Sequence, residues 1–530
     1  MNILIRFSHG LGDAAQFTAV LQVLKKYHPD WIIDIASLPG KTSLFRKFCR
    51  YSLLLNTDQY DESEYDRVFN VDWWECSNTY ADAPFTKASL CLEQAFGIPP
   101  EPLKYSVEVS DEVRESAKRF SSELGNKFAL LHYQGNTSAG DKNISDESAK
   151  RVLDIFRDQG VVPVLLDWDE RSPLITYQDA VCPGSNHWLW NNLGTGDGET
   201  LVALIQEAEL CVAVDSGPLH CAMATDTPTI GLWTRHHPIN FADISDTTMH
   251  LVPHNHKKYI RGGKSQGLSL FNRLYRWKSY HCFNEAIEGE VLAMFSNSDY
   301  LRHGPFFIRR KWAEQDLVIV YDIYHNDSYR MRILGDSHRR GPQTVVDIGA
   351  HIGTFARLYK EINPEAKLAC VEVVPANMDC LNRNVGDFAK TFHAACTYES
   401  GNMILFDACT EHPDSTGGSM IVPEGTVLSN TRSYKRGGEV KKITLEEIAS
   451  EMGTDFIDIL KLDCEGSEYS ILENTTMRER IGLIVGEYHG RTKWNRLRKR
   501  FFHGWPYSEK NAGDFGTFHL RNPAWEGLWV

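Results

Sequence analysis

Val345-Val346-Asp347-Ile348-Gly349-Ala350-His351-Ile352-Gly353 decides how the second half of this chain folds. A run of aliphatic residues ends on an acid, glycines follow at 349 and 353, and a helix-length amphipathic stretch begins at Thr354. That order reads as strand, tight turn, helix, with glycines that let the main chain pass close beneath a ligand. Glu372 ends the next expected strand, where a carboxylate can accept both hydroxyls of a ribose. The spacing is not the Gly-x-Gly-x-x-Gly of dinucleotide loops, so a nucleoside cofactor without a diphosphate fits better.

The same alternation runs on both sides of this turn. Downstream, strands are expected at Leu368–Glu372, Phe456–Leu462 and Leu483–Tyr488, with helices at Thr354–Ile362 and Ala376–Val385. Upstream, apolar runs at Asn2–Phe7, Trp31–Ala36, Phe128–His132, Val161–Leu166, Cys211–Val214 and Pro228–Leu232 suggest parallel strands buried on both faces. Helices are expected at Ala14–Lys26, Asp146–Gln159 and Asn284–Phe295. The chain therefore reads as α/β throughout. The expected division is residues 1–298, in halves of about 1–121 and 123–298, a linker at 299–309, and a second unit at 310–530. Residues 58–102 show no clear period and read as irregular loops and short helices, and the basic stretch 253–278 reads as irregular.

In the second unit, Lys461-Leu-Asp463-Cys464-Glu465-Gly466-Ser-Glu468 follows a strand, and Glu487-Tyr-His489 ends another. Ligands of such sheets lie at the carboxyl ends of strands, so these groups face the cofactor crevice. Asp463, Glu465, Glu487 and His489 are candidates to take a proton from a hydroxyl, with Asp463 or His489 favoured. Carboxylates at Asp463 and Glu465 are also compatible with Mg²⁺. Arg491 to Arg500 holds six basic residues in ten, either a solvated helix face or a grip on an anionic acceptor.

In the first unit, Gly10-Leu-Gly12-Asp13 lies between a strand and a helix. Asp13 is either an N-cap or a base for an acceptor hydroxyl. Asp215-Ser216-Gly217-Pro218-Leu219-His220 joins a strand to a helix whose free N–H groups and dipole suit an anion such as a nucleotide diphosphate. The polar loop from His132 to Lys142 is a plausible second phosphate-facing element.

Two resemblances follow from these residues. The Gly-Leu-Gly-Asp turn at 10–13, the run at 215–220 and Pro228–Trp233 resemble glycosyltransferase family 9, the ADP-heptose heptosyltransferase group. That resemblance implies a GT-B fold and an inverting, metal-independent sugar transfer from a nucleotide sugar, ADP-heptose or another. It maps Asp13 onto the catalytic base, and Lys142, Asp215, Ser216, Gly217 and His220 onto the donor site. The segments at 347–353 and 461–468, with Glu487 and His489, look like the FkbM methyltransferases. This implies a Rossmann-like class I fold and S-adenosyl-L-methionine as cofactor, held by Asp347, Gly349, His351, Gly353, Glu372 and Asp463, with O-methylation of a sugar hydroxyl. Departures from that pattern are His351 where asparagine is usual, Cys464 where valine is usual, and no proline after Glu372.

Bulk properties set the outer bounds. The 530 residues exceed what one core usually serves. A net charge of −14 argues against a nucleic-acid binder. Twelve cysteines without a Cys-x-x-Cys pair give no zinc or disulfide framework and suit a reducing, cytoplasmic compartment. The first apolar run is too short for a signal peptide, and no window approaches the roughly 20 apolar residues of a membrane span. Peripheral membrane contact stays open. The reading is a bifunctional enzyme of glycan or glycoconjugate biosynthesis, acting on a nucleotide sugar and a glycan or glycolipid acceptor. The alternative is a sugar O-methyltransferase whose first unit only binds glycan.

Overall fold

The structure is a computed structural model describing residues 1–73, 86–125, 127–135, 139–190, 197–254, 277–280, 282–296, 298–336, 343–407, 419–426 and 435–524. It divides into two compact units, Met1–Ser296 and Asn297–Val530.

The first unit holds two parallel sheets. In the first, β1 (Asn2–Phe7), β2 (Ile32–Ser37), β3 (Ser52–Leu54) and β4 (Arg67–Asn70) lie in the order β3-β2-β1-β4. Helix α1 (Leu11–Tyr27) follows β1 at once, and Phe17, Val20, Leu21 and Leu24 on it are fully buried. Next come α2 (Lys87–Phe96) and α3 (Asp111–Glu123). The second sheet runs β10-β9-β8-β7-β5-β6, from β5 (Phe128–His132), β6 (Val162–Leu165), β7 (Leu210–Val214), β8 (Thr229–Leu232), β9 (Thr248–Pro253) and β10 (Trp277–Tyr280). Its helices are α4 (Asp146–Asp158), α5 (Gly198–Glu207), the short α6 (Gly217–Ala222) and α7 (Phe283–Phe295). Every residue of β5 and β7 is buried, as central parallel strands covered on both faces require. Ser145 caps α4 by accepting from the Ser148 amide at 3.1 Å.

Two expectations change, and a third falls mostly outside the described residues. The half boundary near residue 122 falls inside α3, because Val113, Ala117 and Phe120 turn that helix onto the second half, with the Phe120 ring 5.9 Å from Phe128. Residues 58–102 hold the helix α2 and also the strand β4, which the sequence reading lacks, while 74–85 are outside the described residues. Of the basic stretch, 255–276 are outside the described residues.

The second unit opens on a hairpin of β11 (Tyr300–His303) and β12 (Phe306–Arg309), so the expected linker 299–309 is ordered. Leu301, Phe306 and Ile308 anchor it by burying their side chains. Helix α8 (Ala313–Ile319) continues into one π-helical stretch, Val320–His325. The main sheet uses β13 (Thr344–Ile348), β14 (Lys367–Glu372), β15 (Ala389–His393), β21 (Ile457–Leu462), β22 (Ile481–His489), β23 (Tyr507–Ala512) and β24 (Phe515–Arg521), in the order β15-β14-β13-β21-β22-β24-β23. All its pairings are parallel except those of β24. Helix α9 (Thr354–Ile362) follows β13, and α10 (Pro375–Val385) follows β14. Smaller pairs are β16 (Ala395–Cys396) with β20 (Lys442–Ile443), and β17 (Met403–Asp407) with β18 (Met420–Pro423) and β19 (Lys435–Glu439). Helix α11 (Glu468–Asn474) follows β21, and α12 (Arg491–Phe501) follows β22. No described helix in either unit is long and apolar enough to cross a membrane.

Candidate functional site

In the second unit the strand order reverses beside β13, and a cavity of about 330 Å³ opens at the carboxyl ends of β13, β14, β21 and β22. Gly349, His351, Glu372, Asp463, Glu465 and Glu487 all line it. The turn after β13 and the acidic loop after β21 are in direct contact, with the Asp463 amide donating to the Ile348 carbonyl at 3.1 Å. Gly349 has φ +76°, and a Cβ there would sit 1.8 Å from the Asp463 carbonyl oxygen. Only glycine fits that position. Gly353, at φ +89°, turns the chain into α9.

The acids differ in their surroundings. Glu372 accepts from the backbone amides of His351 (2.8 Å), Val373 (3.0 Å) and Val374 (2.8 Å). Burial nevertheless raises its pKa. Asp347 is fully buried and its pKa is also raised by burial, against the opposing charge of Lys461 at 3.1 Å. Lys461 donates to the Gly349 carbonyl at 2.7 Å and lies 3.8 Å from Asp463. Asp347 therefore anchors this lysine beneath the turn. Glu465 and Glu487 are each pushed up to about 7, first by burial and then by the Asp463 charge.

His489 is held between two acids, its Nδ1 3.1 Å from Glu468 and its Nε2 3.3 Å from Glu465. Burial opposes its charge, but the hydrogen bond to Glu468 and the nearby carboxylates win and raise it to about 9. A histidine already protonated at neutral pH is a poor resting base, which leaves Asp463 as the better of the two favoured candidates. Donor atoms of Asp463, Glu487 and His489 lie within 4.8 Å of one another, and Glu465 is outside that group. The cation-compatible set thus differs from the expected pair of Asp463 and Glu465.

Sequence reading misses the supports. Tyr329, fully buried, donates its hydroxyl to Asp463 Oδ2 at 3.0 Å. Burial and the charges of Asp463 and Glu487 push that phenol well above its ordinary pKa, so it stays a donor. Arg309, from the hairpin that sequence alone reads as linker, donates to Asp316 at 2.9 Å and to Asn377, and reaches His351 Nε2 at 3.1 Å. Burial, with Arg309 and Lys461 nearby, holds His351 well below its usual pKa. Neither Tyr329 nor Arg309 lies in a motif, so no local signal marks them.

In the first unit the 10–13 turn packs against the start of α6. A Cβ on Gly12 would come 2.9 Å from His220 Cδ2 and 3.4 Å from the Gly217 amide nitrogen. Asp13 sits in the first turn of α1, 3.4 Å from Lys87 Nζ, a buried lysine whose ammonium lies 5.2 Å from the Trp73 ring. Across the turn, Asp215 is the hub of a cluster of one lysine and two histidines: Lys142 Nζ at 3.0 Å, His220 Nε2 at 3.3 Å and His236 Nδ1 at 2.5 Å. Burial opposes its charge, yet His220, His236 and Lys142 hold the Asp215 carboxyl well below the usual range. Ser216 Oγ donates to the Val214 carbonyl at 3.1 Å, and Gly217 lies tight against Leu11. Asp215 is thus a buried counter-ion, while Lys142 and the α6 amides remain the cationic side of the site. His236 lies in no motif, and Asn136–Ser138 of the Lys142 loop lie outside the described residues.

Comparison with known proteins agrees with this division. Residues 75–266 match the family model "Glycosyltransferase family 9 (heptosyltransferase)", and residues 347–509 match "Methyltransferase FkbM domain". The chain is 28% identical over 156 residues to methyltransferase sdnD of Sordaria araneosa, a match spanning 24% of this chain and 59% of that protein. Among solved structures, a glycosyl transferase family 9 protein from Veillonella parvula is 16% identical, covering 47% of this chain and 85% of its own, at TM-score 0.38. The E. coli ADP-heptose LPS heptosyltransferase II is 15% identical, covering 47% and 90%, at TM-score 0.39.

Proposed function

We propose, for a chain that joins a glycosyltransferase family 9 region to an FkbM methyltransferase domain, that it both extends and O-methylates a glycan or glycoconjugate. One recurring observation carries this reading. In each unit a glycine turn between strand and helix is packed against a second strand-end loop bearing titratable groups, Gly12 against His220 and Gly349 against Asp463.

In the first unit, Asp13 takes the proton of the acceptor hydroxyl, and Lys87 holds its carboxylate in place. The departing nucleoside diphosphate is met by Lys142 and the backbone amides at the start of α6, so no metal is needed and the sugar carbon inverts. In the second unit, the Gly349 cradle, the strand-end carboxylate of Glu372 and the neutral His351 fit the nucleoside and methionine parts of S-adenosyl-L-methionine. That cofactor supplies an electrophilic methyl group. Asp463 receives the hydroxyl proton, with Tyr329 and Lys461 fixing the carboxylate's orientation. Glu487, with a pKa near 7, lines the acceptor side and donates or accepts a hydrogen bond from the sugar.

The test is transfer of label from S-adenosyl-L-methionine and from a panel of nucleotide sugars to candidate glycans. Asp463→Asn should lower methyl transfer by about 10²–10⁴-fold and spare sugar transfer, and Asp13→Asn the reverse. Full activity of either variant in its own reaction refutes that base assignment. A second reading of the methyl site rests on the three donor atoms of Asp463, Glu487 and His489. If a divalent cation binds there and lowers the hydroxyl pKa, exhaustive chelation abolishes methyl transfer and Mg²⁺ or Mn²⁺ restores it.

A further inference from the structure

Helix α12 begins two residues after His489 and carries charge that its surroundings do not answer. Trp494 and Leu497 bury its inner face. Arg498 lies 4.4 Å from the Tyr507 ring and Arg491 3.8 Å from Glu509, so the flank toward β23 is satisfied. Lys493, Arg496, Lys499 and Arg500 are exposed and fall within about a 120° arc of the helix. None of the four is within salt-bridge distance of a carboxylate among the described residues. Lys493 lies 3.9 Å from the Tyr469 ring, and Arg500 and Arg478 both flank Phe501, at 4.8 and 4.5 Å. A chain of net charge −14 thus keeps one strongly basic stripe with no counter-charge among the described residues.

The stripe's shape selects among anions. From Lys493 to Arg500 the helix rises about 10 Å, and side chains on its outer face diverge. Neighbours three or four apart can share one phosphate, but the four together span more length than a single such ion. They suit an extended, flat array of negative charge instead. We propose that this face of α12 docks the chain electrostatically on a membrane surface rich in anionic lipid headgroups. The proposal does not depend on the base assignments above. It places the methyl-transfer cavity, whose wall includes Glu487 two residues before His489, close to lipid-borne acceptors.

The experiment is co-sedimentation of the full-length chain with vesicles of phosphatidylcholine alone or with one-third phosphatidylglycerol. Each interfacial base contributes roughly five-fold to binding, so Lys493→Gln/Arg496→Gln/Lys499→Gln/Arg500→Gln should weaken it by about 600-fold. Binding of the unaltered chain to anionic vesicles should collapse between about 0.1 M and about 0.5 M salt. Arg491→Gln/Arg498→Gln, which removes charge from the satisfied flank, should cost less than about five-fold. Thermal melting by circular dichroism checks that each variant is folded, and the salt dependence tests the proposal without any variant. Equal binding to neutral vesicles, salt-insensitive binding, or equal losses in the two variants would overturn it. Tight binding of inorganic pyrophosphate with no vesicle association would overturn it too, in favour of a soluble phosphate ligand.

Discussion

His489 should make the second unit's stability fall with rising pH between about 7 and 9. Its pKa rises from 6.5 to about 9 on folding, and each ten-fold gain in proton affinity is worth about 1.4 kcal/mol, so the unscreened linkage is about 3 kcal/mol. The ring is still touched by solvent at the cavity mouth, and screening reduces this to about 2 kcal/mol. A raised folded pKa means the stabilisation is complete below pH 6.5 and lost as pH climbs through 9. Glu465 and Glu487 act in the same direction but lower down, between 4.5 and about 7. Their loss falls mostly below the histidine window and overlaps its lower edge near pH 7. His132, His187, His250, His351 and His519 are all pushed down and do not titrate there. For a unit of this size, about 2 kcal/mol corresponds to roughly 4–8 °C in melting temperature. Calorimetric scans of the full chain from pH 6.5 to 9.5 should show that drop in the transition of the second unit. Glu468→Gln, which removes the buried negative charge 3.1 Å from His489 Nδ1, should reduce it to less than half. Parallel pH profiles for the two proteins would refute the claim that Glu468 holds the charge.

Other substitutions probe the two turns and the charge hub. Gly349→Ala would force a Cβ to 1.8 Å from the Asp463 carbonyl oxygen at φ +76°, so it should cost more than about 3 kcal/mol and abolish the melting shift produced by S-adenosylhomocysteine. Gly12→Ala should weaken nucleoside diphosphate binding by calorimetry, about ten-fold or more, because its Cβ displaces His220 from 2.9 Å; unchanged affinity would separate the turn from the donor site. Asp215→Asn leaves Lys142, His220 and His236 around a neutral amide and should destabilise the first unit by about 3 kcal/mol at neutral pH. Because the Asp215 pKa is depressed, its stabilisation is present above the ordinary 3.8 and lost only in stronger acid, so the two proteins should converge there and nowhere higher.

What can be read from sequence is what local chemistry determines. Asn2–Phe7 and Phe128–His132 are placed to the residue, because buried parallel strands are continuous apolar runs bounded by polar turns. Turn glycines at 349 and 353 are legible because no other residue adopts those backbone angles cheaply. The misses are long-range. Tyr329 meets Asp463 across 134 positions, and Lys87 meets Asp13 across 74, and neither partner carries a neighbour pattern that names the other. The hairpin at 300–309 reads as linker because its strands are short and its stabilising groups, Asp316 and Asn384, sit elsewhere in the chain.

The lysine and histidines around Asp215 show why motif matching alone assigns roles too directly. A carboxylate inside an expected diphosphate site looks like a contradiction, since like charges repel. The geometry resolves it. Asp215 is buried behind the loop, paired with Lys142, His220 and His236, and so lowers the cost of keeping those groups close together before any anion arrives. On the proposed donor site, an arriving diphosphate would compete with Asp215 for Lys142 and need not order it from solvent. The same logic operates on the methyl side, where Asp347 holds Lys461 beneath the glycine turn and Glu468 holds His489 at the rim. In both units enclosed acids position basic groups, and on the proposed assignment Asp13 and Asp463 meet the substrate hydroxyl, with Glu465 and Glu487 lining the same cavity as Asp463.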